Sequence, residues 1–168
     1  MNEENSDSNS GIQVGKSGDA ILVRLEGKGT HLNSYLLKRY ILQCLEENRS
    51  LFQVDLSQCN YMDSTFLGML AGLGIKMEKR SLPQIKLMNP TERIRGLLEG
   101  LGVEQLFRVI QEDYPISSFN ELHGKELGKE EKSREMLEAH EKLVQISQSN
   151  NAKFRDVITL LRKKVNKP

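Results

Sequence analysis

The spacing of hydrophobic residues changes several times along the chain, and each spacing predicts a different element. Apolar residues at 12–14 and 20–25 flank the polar turn Lys16-Ser17-Gly18-Asp19, which predicts a β-hairpin. Gly27-Lys28-Gly29 then predicts a loop. A helix is predicted from Asn33 or Ser34, because apolar residues follow at helical spacing: Leu36, Leu37, Tyr40, Ile41, Cys44 and Leu45.

The middle of the chain continues this alternation of strands and helices. Residues 51–56 form a short apolar run that predicts a buried strand, and a second helix is predicted from about Ser64 to Lys79. Pro83 precedes a predicted strand at 84–88, and residues 103–110 predict a short helix or turn that leads into a last strand. Such alternation predicts an α/β domain, in which crossover helices cover a sheet.

Asn89-Pro90-Thr91-Glu92 has the pattern of a helix start. Asn89 can cap the helix, Pro90 suits the first helical position, and Glu92 is placed to bond back to the cap. The predicted third helix ends near residues 100–102, and the α/β unit closes near Tyr114. The apolar residues of this helix are Ile94, Leu97 and Leu98.

Beyond residue 117 the chain is rich in charge and gives no strand signal, which predicts a helical extension. Residues 148–151 are consistent with either the turn of a helical hairpin or a polar stretch of helix. One possible face comprises Met136, His140, Leu143 and Ser147, and a cleaner apolar stripe comprises Phe154, Val157, Ile158, Leu161 and Val165. The extension must bury its stripe on the α/β domain, on its own other helix or on a partner chain, and the last alternative predicts a homodimer through the C-terminal helices.

The composition is typical of a cytoplasmic protein with one domain and an appendage. The chain has 168 residues and a net charge of +1, with 24 basic and 23 acidic residues. Because these charges balance, neither a nucleic acid nor an anionic membrane is predicted as a partner. Residues 1–11 predict a disordered leader without a secretory signal, and no apolar run is long enough to span a bilayer. Cys44 and Cys59 are expected to be reduced core thiols.

The sequence lacks the motifs of common catalytic and cofactor sites. Gly11 is separated from the Gly15-Lys16 pair by three residues, whereas a phosphate-binding loop needs four. No Gly-x-Ser-x-Gly motif surrounds Ser64. No convincing set of metal ligands surrounds the histidines, which are His31, His123 and His140. We therefore expect no metal, no cofactor and no enzymatic activity.

Asp63-Ser64-Thr65 is a polar motif at the start of an apolar helix. Either Asp63 or Ser64 could cap that helix, at a gain of about 1 kcal/mol, and capping alone could explain the motif. A binding site is favoured by the residues that follow, since glycine is destabilising in a helix unless the backbone must approach something closely. These small residues are Gly68, Ala71, Gly72 and Gly74.

The position of Ser64 also favours a regulatory site. The preceding strand delivers the chain to the carboxyl edge of the sheet, where α/β proteins bind ligands and partners. The hydroxyl of Ser64 is predicted to be exposed there. A phosphate on it would face free backbone amides and the positive end of the helix dipole.

Three stretches of the chain resemble one known family. VDLSQCNYMDSTFLGML, at 54–70, looks like the signature of STAS domains of the anti-sigma-factor antagonist type, in which Asp-Ser-Ser/Thr-x-x-Gly opens a helix. LPQIKLMNPTERIRGLLEGLGVEQLF, at 82–107, resembles the next strand and helix of the family, and ILVRLEGKGTHLNSYLLKRYI, at 21–41, resembles its early strand and first helix. The resemblance implies a STAS-like mixed sheet, covers about residues 12–116, and leaves 117–168 as a helical extension.

The resemblance also implies a function. Ser64 would be phosphorylated by a serine kinase of the anti-sigma-factor type and dephosphorylated by a PP2C-like phosphatase. The unphosphorylated domain would capture the anti-sigma factor and the phosphorylated domain would release it, through a partner-binding site that comprises Asp63, Ser64, Thr65 and Gly68. A second hypothesis is a constitutive STAS adaptor in a larger complex, such as a lipid-transport ATPase assembly, in which Asp63 and Ser64 only cap the helix.

Overall fold

The structure, a computed structural model, describes residues 10–114 and 118–167. These residues form a mixed sheet with helices packed on it, which confirms the predicted fold class. The predicted disordered leader, residues 1–11, falls outside the described residues except for Ser10 and Gly11, and Gly11 begins the first strand. The predicted domain boundary at residues 116 and 117 also falls outside them.

The sheet contains parallel and antiparallel strand pairs. Its strands are β1 (Gly11–Ser17), β2 (Ala20–Gly29), β3 (Phe52–Asp55), β4 (Cys59–Met62), β5 (Lys86–Met88), β6 (Arg108–Ile110) and β7 (Asn120–Glu121). The strand order is β6-β5-β3-β2-β1-β7, and β4 pairs with β2 off this path. β1 is antiparallel to both β2 and β7, whereas the other pairs are parallel.

The predicted hairpin is confirmed, but the predicted loop at 27–29 is wrong. Ser17 lies opposite Ala20 across the turn, and β2 continues to Gly29. The end of β2 is extended because it pairs with β4, where Gly29 lies opposite Met62. The pattern did not reveal β4 because its two middle residues, Asn60 and Tyr61, face solvent.

The helices lie largely where their apolar spacing predicted them. They are α1 (Ser34–Glu46), α2 (Ser64–Lys79), α3 (Glu92–Gly100), α4 (Lys129–Ile146) and α5 (Ser149–Val165). α2 has the predicted bounds. A short 3-10 helix, Glu104–Leu106, leads into β6 as expected for residues 103–110.

The predicted capping of α3 by Asn89 is wrong. Thr91 is the N-cap, and its hydroxyl accepts a hydrogen bond from the Ile94 amide at 3.3 Å. Asn89 instead adopts a left-handed backbone with φ of 54°, which asparagine tolerates better than most residues. Its side chain accepts from the backbone N–H of Glu112 and donates to the Glu112 carbonyl, both at 2.9 Å. Asn89 thus joins the ends of β5 and β6.

A polar network holds the end of β3, the strand that leads toward the site. Asp55 is buried opposite Arg24 of β2, with 3.5 Å between Arg24 Nε and Asp55 Oδ2. The Tyr114 hydroxyl donates a hydrogen bond to Asp55 and accepts one from Arg24 Nη2 at 2.9 Å. Buried charges need such partners, so the aspartate of the Asp-Leu-Ser motif has a structural role here.

The C-terminal extension forms a helical hairpin that packs on α2 of the same chain. α4 ends at Ile146 and α5 begins at Ser149, so the hairpin turn lies at 147–148, whereas 149–151 form the polar first turn of α5. Ile158 and Leu161 of the apolar stripe are buried, and Phe154 is half-buried. The expected absence of strands beyond 117 is wrong, because β7 pairs with β1. A strand of two residues is too short to show a sequence pattern.

Candidate functional site

The start of α2 is fixed by Asp63. One carboxylate oxygen, Oδ1, caps the helix by accepting from the Phe66 amide at 2.8 Å. The other, Oδ2, accepts from the His31 backbone N–H at 2.9 Å and lies 3.3 Å from His31 Nδ1. The Asp63 amide donates to the Gly29 carbonyl at 2.9 Å. Capping is therefore performed by Asp63, which leaves the hydroxyl of Ser64 available for another partner.

That partner is a histidine from the C-terminal hairpin. Ser64 Oγ lies 2.9 Å from His140 Nε2. His140 belongs to α4 and is only 4% exposed, and its ring makes an edge contact with Phe154 of α5 at 5.1 Å between centroids. Ser64 itself is half-buried. The prediction of a freely exposed Ser64 is therefore wrong, because α4 covers the start of α2.

The chemistry of the contact assigns the proton positions. His140 Nδ1 lies 2.6 Å from the Met136 backbone carbonyl, and a carbonyl can only accept. In the neutral imidazole Nδ1 therefore carries the hydrogen, and the lone pair of Nε2 accepts from the Ser64 hydroxyl. Both hydrogen-bonding atoms of the His140 side chain are thus satisfied.

The other two predicted partner-binding residues face the protein interior. Thr65 is buried. A Cβ atom at Gly68 would lie 2.3 Å from the backbone oxygen of Ala139, so α2 and α4 approach at Gly68 more closely than any larger residue permits. One glycine of the α2 cluster thus serves a contact within the chain. Partner binding by Asp63, Ser64, Thr65 and Gly68 stays a prediction.

Asp63 also lines a solvent-facing surface, away from the contact between Ser64 and α4. It is a concave region of about 610 Å³ whose lining includes His31, Leu32, Tyr61 and Asp63. Leu32 is 60% exposed and Tyr61 is 38% exposed. Exposed large apolar side chains that lie together are typical of a protein interaction surface. We call this region the open flank.

A second, smaller cavity of about 270 Å³ adjoins Ser64 on the hairpin side. It lies between α2, α3 and α5, and Lys153 is the cation in its lining. The other lining residues are mostly apolar: Met62, Asp63, Ser64, Leu67, Gly96, Leu97, Gly100, Leu101 and Phe154. We call it the α3–α5 cavity.

His140 is the site residue that sequence reasoning missed. The helical pattern placed it on one face with Leu143, but nothing in that pattern linked it to Ser64, 76 residues earlier. Contacts between distant helices depend on how the helices cross, which a period along one helix does not reveal.

Within residues 10–114 and 118–167, no cluster of His, Cys, Asp and Glu has a geometry that could hold a metal ion. No helix in the same part of the chain combines the length and apolar character needed to cross a bilayer.

Comparisons with known proteins agree with the fold. A family model described as "Mlab, STAS domain" matches residues 12–111, more than half of the chain. This match ends before α4 and α5. No curated protein is found to match the chain.

Solved structures give a fold-level likeness. TM1081 of Thermotoga maritima, described as a candidate anti-sigma factor antagonist, is 15% identical with a TM-score of 0.54, and the match covers 60% of this chain and 85% of that one. The Bacillus cell fate determinant SpoIIAA in its phosphorylated form is 16% identical with a TM-score of 0.51, over 61% of this chain and 91% of that one. At such identities the likeness concerns the fold alone.

Proposed function

Since the chain belongs to the STAS domain family, we propose that it is a non-enzymatic protein-binding module whose binding is controlled by phosphorylation of Ser64. The observation that carries this proposal is that Asp63 and Ser64 have different roles at the start of α2. Asp63 caps the helix and lines the open flank, and Ser64, the next residue in the chain, is not needed for capping.

A phosphate at Ser64 would act mainly on binding. It adds nearly two negative charges next to the Asp63 carboxylate. A partner that packs over this helix start must desolvate or repel that charge, and a cost of about 2–4 kcal/mol weakens binding by roughly 30- to 1000-fold. Negative charge at a helix N-terminus is favourable to the helix, so the domain itself stays folded.

We further propose a cytoplasmic cycle of partner switching with two enzymes. A serine kinase of the anti-sigma-factor type adds the phosphate and a PP2C-like phosphatase removes it. SpoIIAA, a protein of the same fold, has been solved in a phosphorylated form, which supports control by phosphorylation. The nearly neutral chain, with a net charge of +1, supports a protein partner over a nucleic acid or an anionic membrane.

The proposal is tested in two steps on the full-length protein. The tagged protein is isolated from its native organism, and intact-mass and peptide mass spectrometry locate any phosphate. Ser64→Ala, Ser64→Asp and the wild type are then compared for the partners they retain. We expect phosphate on Ser64, constitutive partner binding by Ser64→Ala, and a loss of partners in Ser64→Asp with a Tm within a few degrees of the wild type.

A matched control separates a local effect from a general effect of charge. Ser118 is exposed and lies outside the site, so Ser118→Asp should keep the partners that Ser64→Asp loses. Phosphate on Thr65 or on serines of the extension alone would exclude Ser64 as the switch. A large fall in the Tm of Ser64→Asp would instead assign the lost binding to unfolding.

The second candidate function is the constitutive adaptor in a larger complex, such as a lipid-transport ATPase assembly. It is favoured by the saturated hydrogen bonds of the motif, since Asp63 caps α2 and Ser64 bonds to His140. In that case Ser64→Asp and Ser64→Ala would retain the same partners as the wild type, and no phosphate would be found on Ser64.

A further inference from the structure

The contact between α2 and α4 joins Ser64 to the C-terminal hairpin. Ser64 and His140 are 2.9 Å apart, and Gly68 meets the backbone of Ala139 one residue earlier on α4. The helix that covers the proposed switch is therefore part of the chain itself, and it lies outside the residues that the family model matches.

We propose that α4 is a built-in competitor for the Ser64 surface, so that docking of α4 on α2 and a phosphate on Ser64 exclude one another. This inference rests on the proposed function and adds its regulation and the kind of partner that the surface fits. A competing partner would present a helix with a small residue against Gly68, as α4 does with Ala139.

The hydrogen bond between Ser64 and His140 is one reason why a phosphate on Ser64 and docking of α4 exclude one another. The unmodified hydroxyl of Ser64 donates to the lone pair of His140 Nε2. In the neutral imidazole the only N–H is on Nδ1, so Nε2 has no hydrogen to donate to an oxygen on Ser64. A phosphoserine ester oxygen has no hydrogen to donate. The phosphate oxygens are acceptors, so an acceptor would face an acceptor inside a buried contact.

The lack of space between Ser64 and His140 is a second reason why a phosphate on Ser64 excludes docking of α4. A separation of 2.9 Å between Ser64 Oγ and His140 Nε2 leaves no room for a phosphoryl group between them. The adjoining α3–α5 cavity is lined mostly by apolar side chains, where a dianion would be poorly solvated. Lys153, the cation of that lining, already donates to the Gly100 carbonyl at 2.8 Å.

Docking of α4 also makes the Ser64 hydroxyl inaccessible to other proteins. With α4 in place, Ser64 is half-buried, and a kinase cannot bring its phosphate donor to the hydroxyl without displacing His140. A kinase or a partner therefore binds the chain in the state in which α4 has moved away. The affinity of either is reduced by the fraction of molecules that populate this state.

The test installs phosphoserine at position 64 during translation of the full-length chain and follows amide hydrogen exchange. We expect the amides of α4 to exchange at least about tenfold faster than in the unmodified protein, while β2 and β3 keep their protection. Phosphoserine installed at Ser118 serves as the control and should leave α4 protected. Unchanged exchange of α4 would overturn the inference, whether the phosphate enters the α3–α5 cavity or pairs with a protonated His140.

Two glycine variants test the same surface without phosphate. A Cβ at Gly68 meets Ala139 O at 2.3 Å, whereas a Cβ at Gly72 meets only the Lys142 side chain at 3.5 Å. Both replacements by alanine favour the helical state of α2. Because only the Cβ at position 68 clashes with α4, Gly68→Ala should release α4 and Gly72→Ala should not. Equal protection of α4 in the two variants, with β2 still protected, would contradict the proposal.

These outcomes are independent of whether a kinase exists in the cell. If Ser64 is never phosphorylated in the native organism but the installed phosphate releases α4, the proposed function fails and the competition stands. If Ser64 is phosphorylated and controls binding while α4 stays docked, the proposed function stands and the competition fails.

Discussion

The sheet and the C-terminal hairpin differ in the share of polar residues among those that they bury. The central strands β2, β3 and β5 contribute fully buried aliphatic side chains, among them Val23, Val54 and Leu87. In α4 and α5, two of the buried residues are polar. The buried residues of the hairpin are Ala139, His140, Leu143, Asn150, Ile158 and Leu161.

Polar bonds also attach the hairpin to its neighbours. Lys38 of α1 donates to Glu135 of α4 at 2.8 Å, and Asn150 of α5 donates to the Leu101 carbonyl at 2.9 Å. Water can replace such bonds at a net cost of only about 1 kcal/mol each, whereas exposed aliphatic surface has no such substitute. The difference suggests that the hairpin can leave α2 under conditions in which the sheet stays folded.

The largest expected effect comes from a cavity in the sheet. Leu87→Ala removes a fully buried side chain of β5 and should lower the free energy of unfolding by about 2–5 kcal/mol, as measured by urea denaturation. Leu143→Ala is the matched variant, because Leu143 is equally buried but belongs to α4. We expect it to reduce the exchange protection of α4 while leaving the sheet protected. Equal loss of protection in both regions would show that they unfold as one unit.

Removal of the hairpin should have the next largest effect. A chain that ends at Gly128 retains β7 and loses α4 and α5. Because the domain of roughly 100 residues has its own core, we expect it to melt cooperatively by circular dichroism. The Tm should fall by about 4–8 °C for each 1 kcal/mol that hairpin docking contributes. Loss of a cooperative transition would mean that the domain needs the hairpin to fold.

A smaller and more local effect is expected at the turn of the hairpin. Asn150 is fully buried and donates to the carbonyls of Leu101 and Leu143. Asn150→Ala should weaken docking of α5 by about 1–3 kcal/mol, since it leaves buried carbonyls with fewer donors. Amide exchange in α5 measures this change. Asn151→Ala, at an exposed neighbouring position, is the control; comparable exchange in both variants would contradict a role for the Asn150 side chain.

The smallest effect is a dependence of the stability on alkaline pH that belongs to the α/β domain and not to the hairpin. Burial and the hydrogen bond to Asp55 raise the pKa of Tyr114, and burial raises the pKa of the Cys59 thiol. The folded state thus holds these protons more tightly than the unfolded state, and the stability gained is lost as the pH rises above the ordinary values of about 8.5 for cysteine and 10 for tyrosine. Urea denaturation from pH 7 to 11 should show this decline.

One variant isolates the contribution of Tyr114 to this pH dependence of stability. Tyr114→Phe removes the titrating hydroxyl, so its stability should fall less steeply than that of the wild type above about pH 10. An unchanged slope would assign the decline to other groups.

Sequence reasoning succeeded where one element carries its own signal. The apolar run from Phe66 to Ile75 and the polar motif before it gave α2 its bounds, because capping and periodicity act within the helix. It failed at β4 and β7, which are held as strands by pairing with β2 and β1. It also failed at Asn89, where the cap pattern was outweighed by two hydrogen bonds to Glu112, which follows α3 and β6 in the chain.

The sequence by itself determined the α/β alternation, the STAS signature and the position of Ser64 at a helix start. Each of these is encoded in neighbouring residues. Only the tertiary structure decided what lies on Ser64. The His140 contact requires that α4 cross α2 at Gly68, and that crossing depends on the fit of two helix surfaces about 70 residues apart in the chain. Hydrophobic periodicity identifies which face of a helix is buried, but it does not specify the surface that buries it.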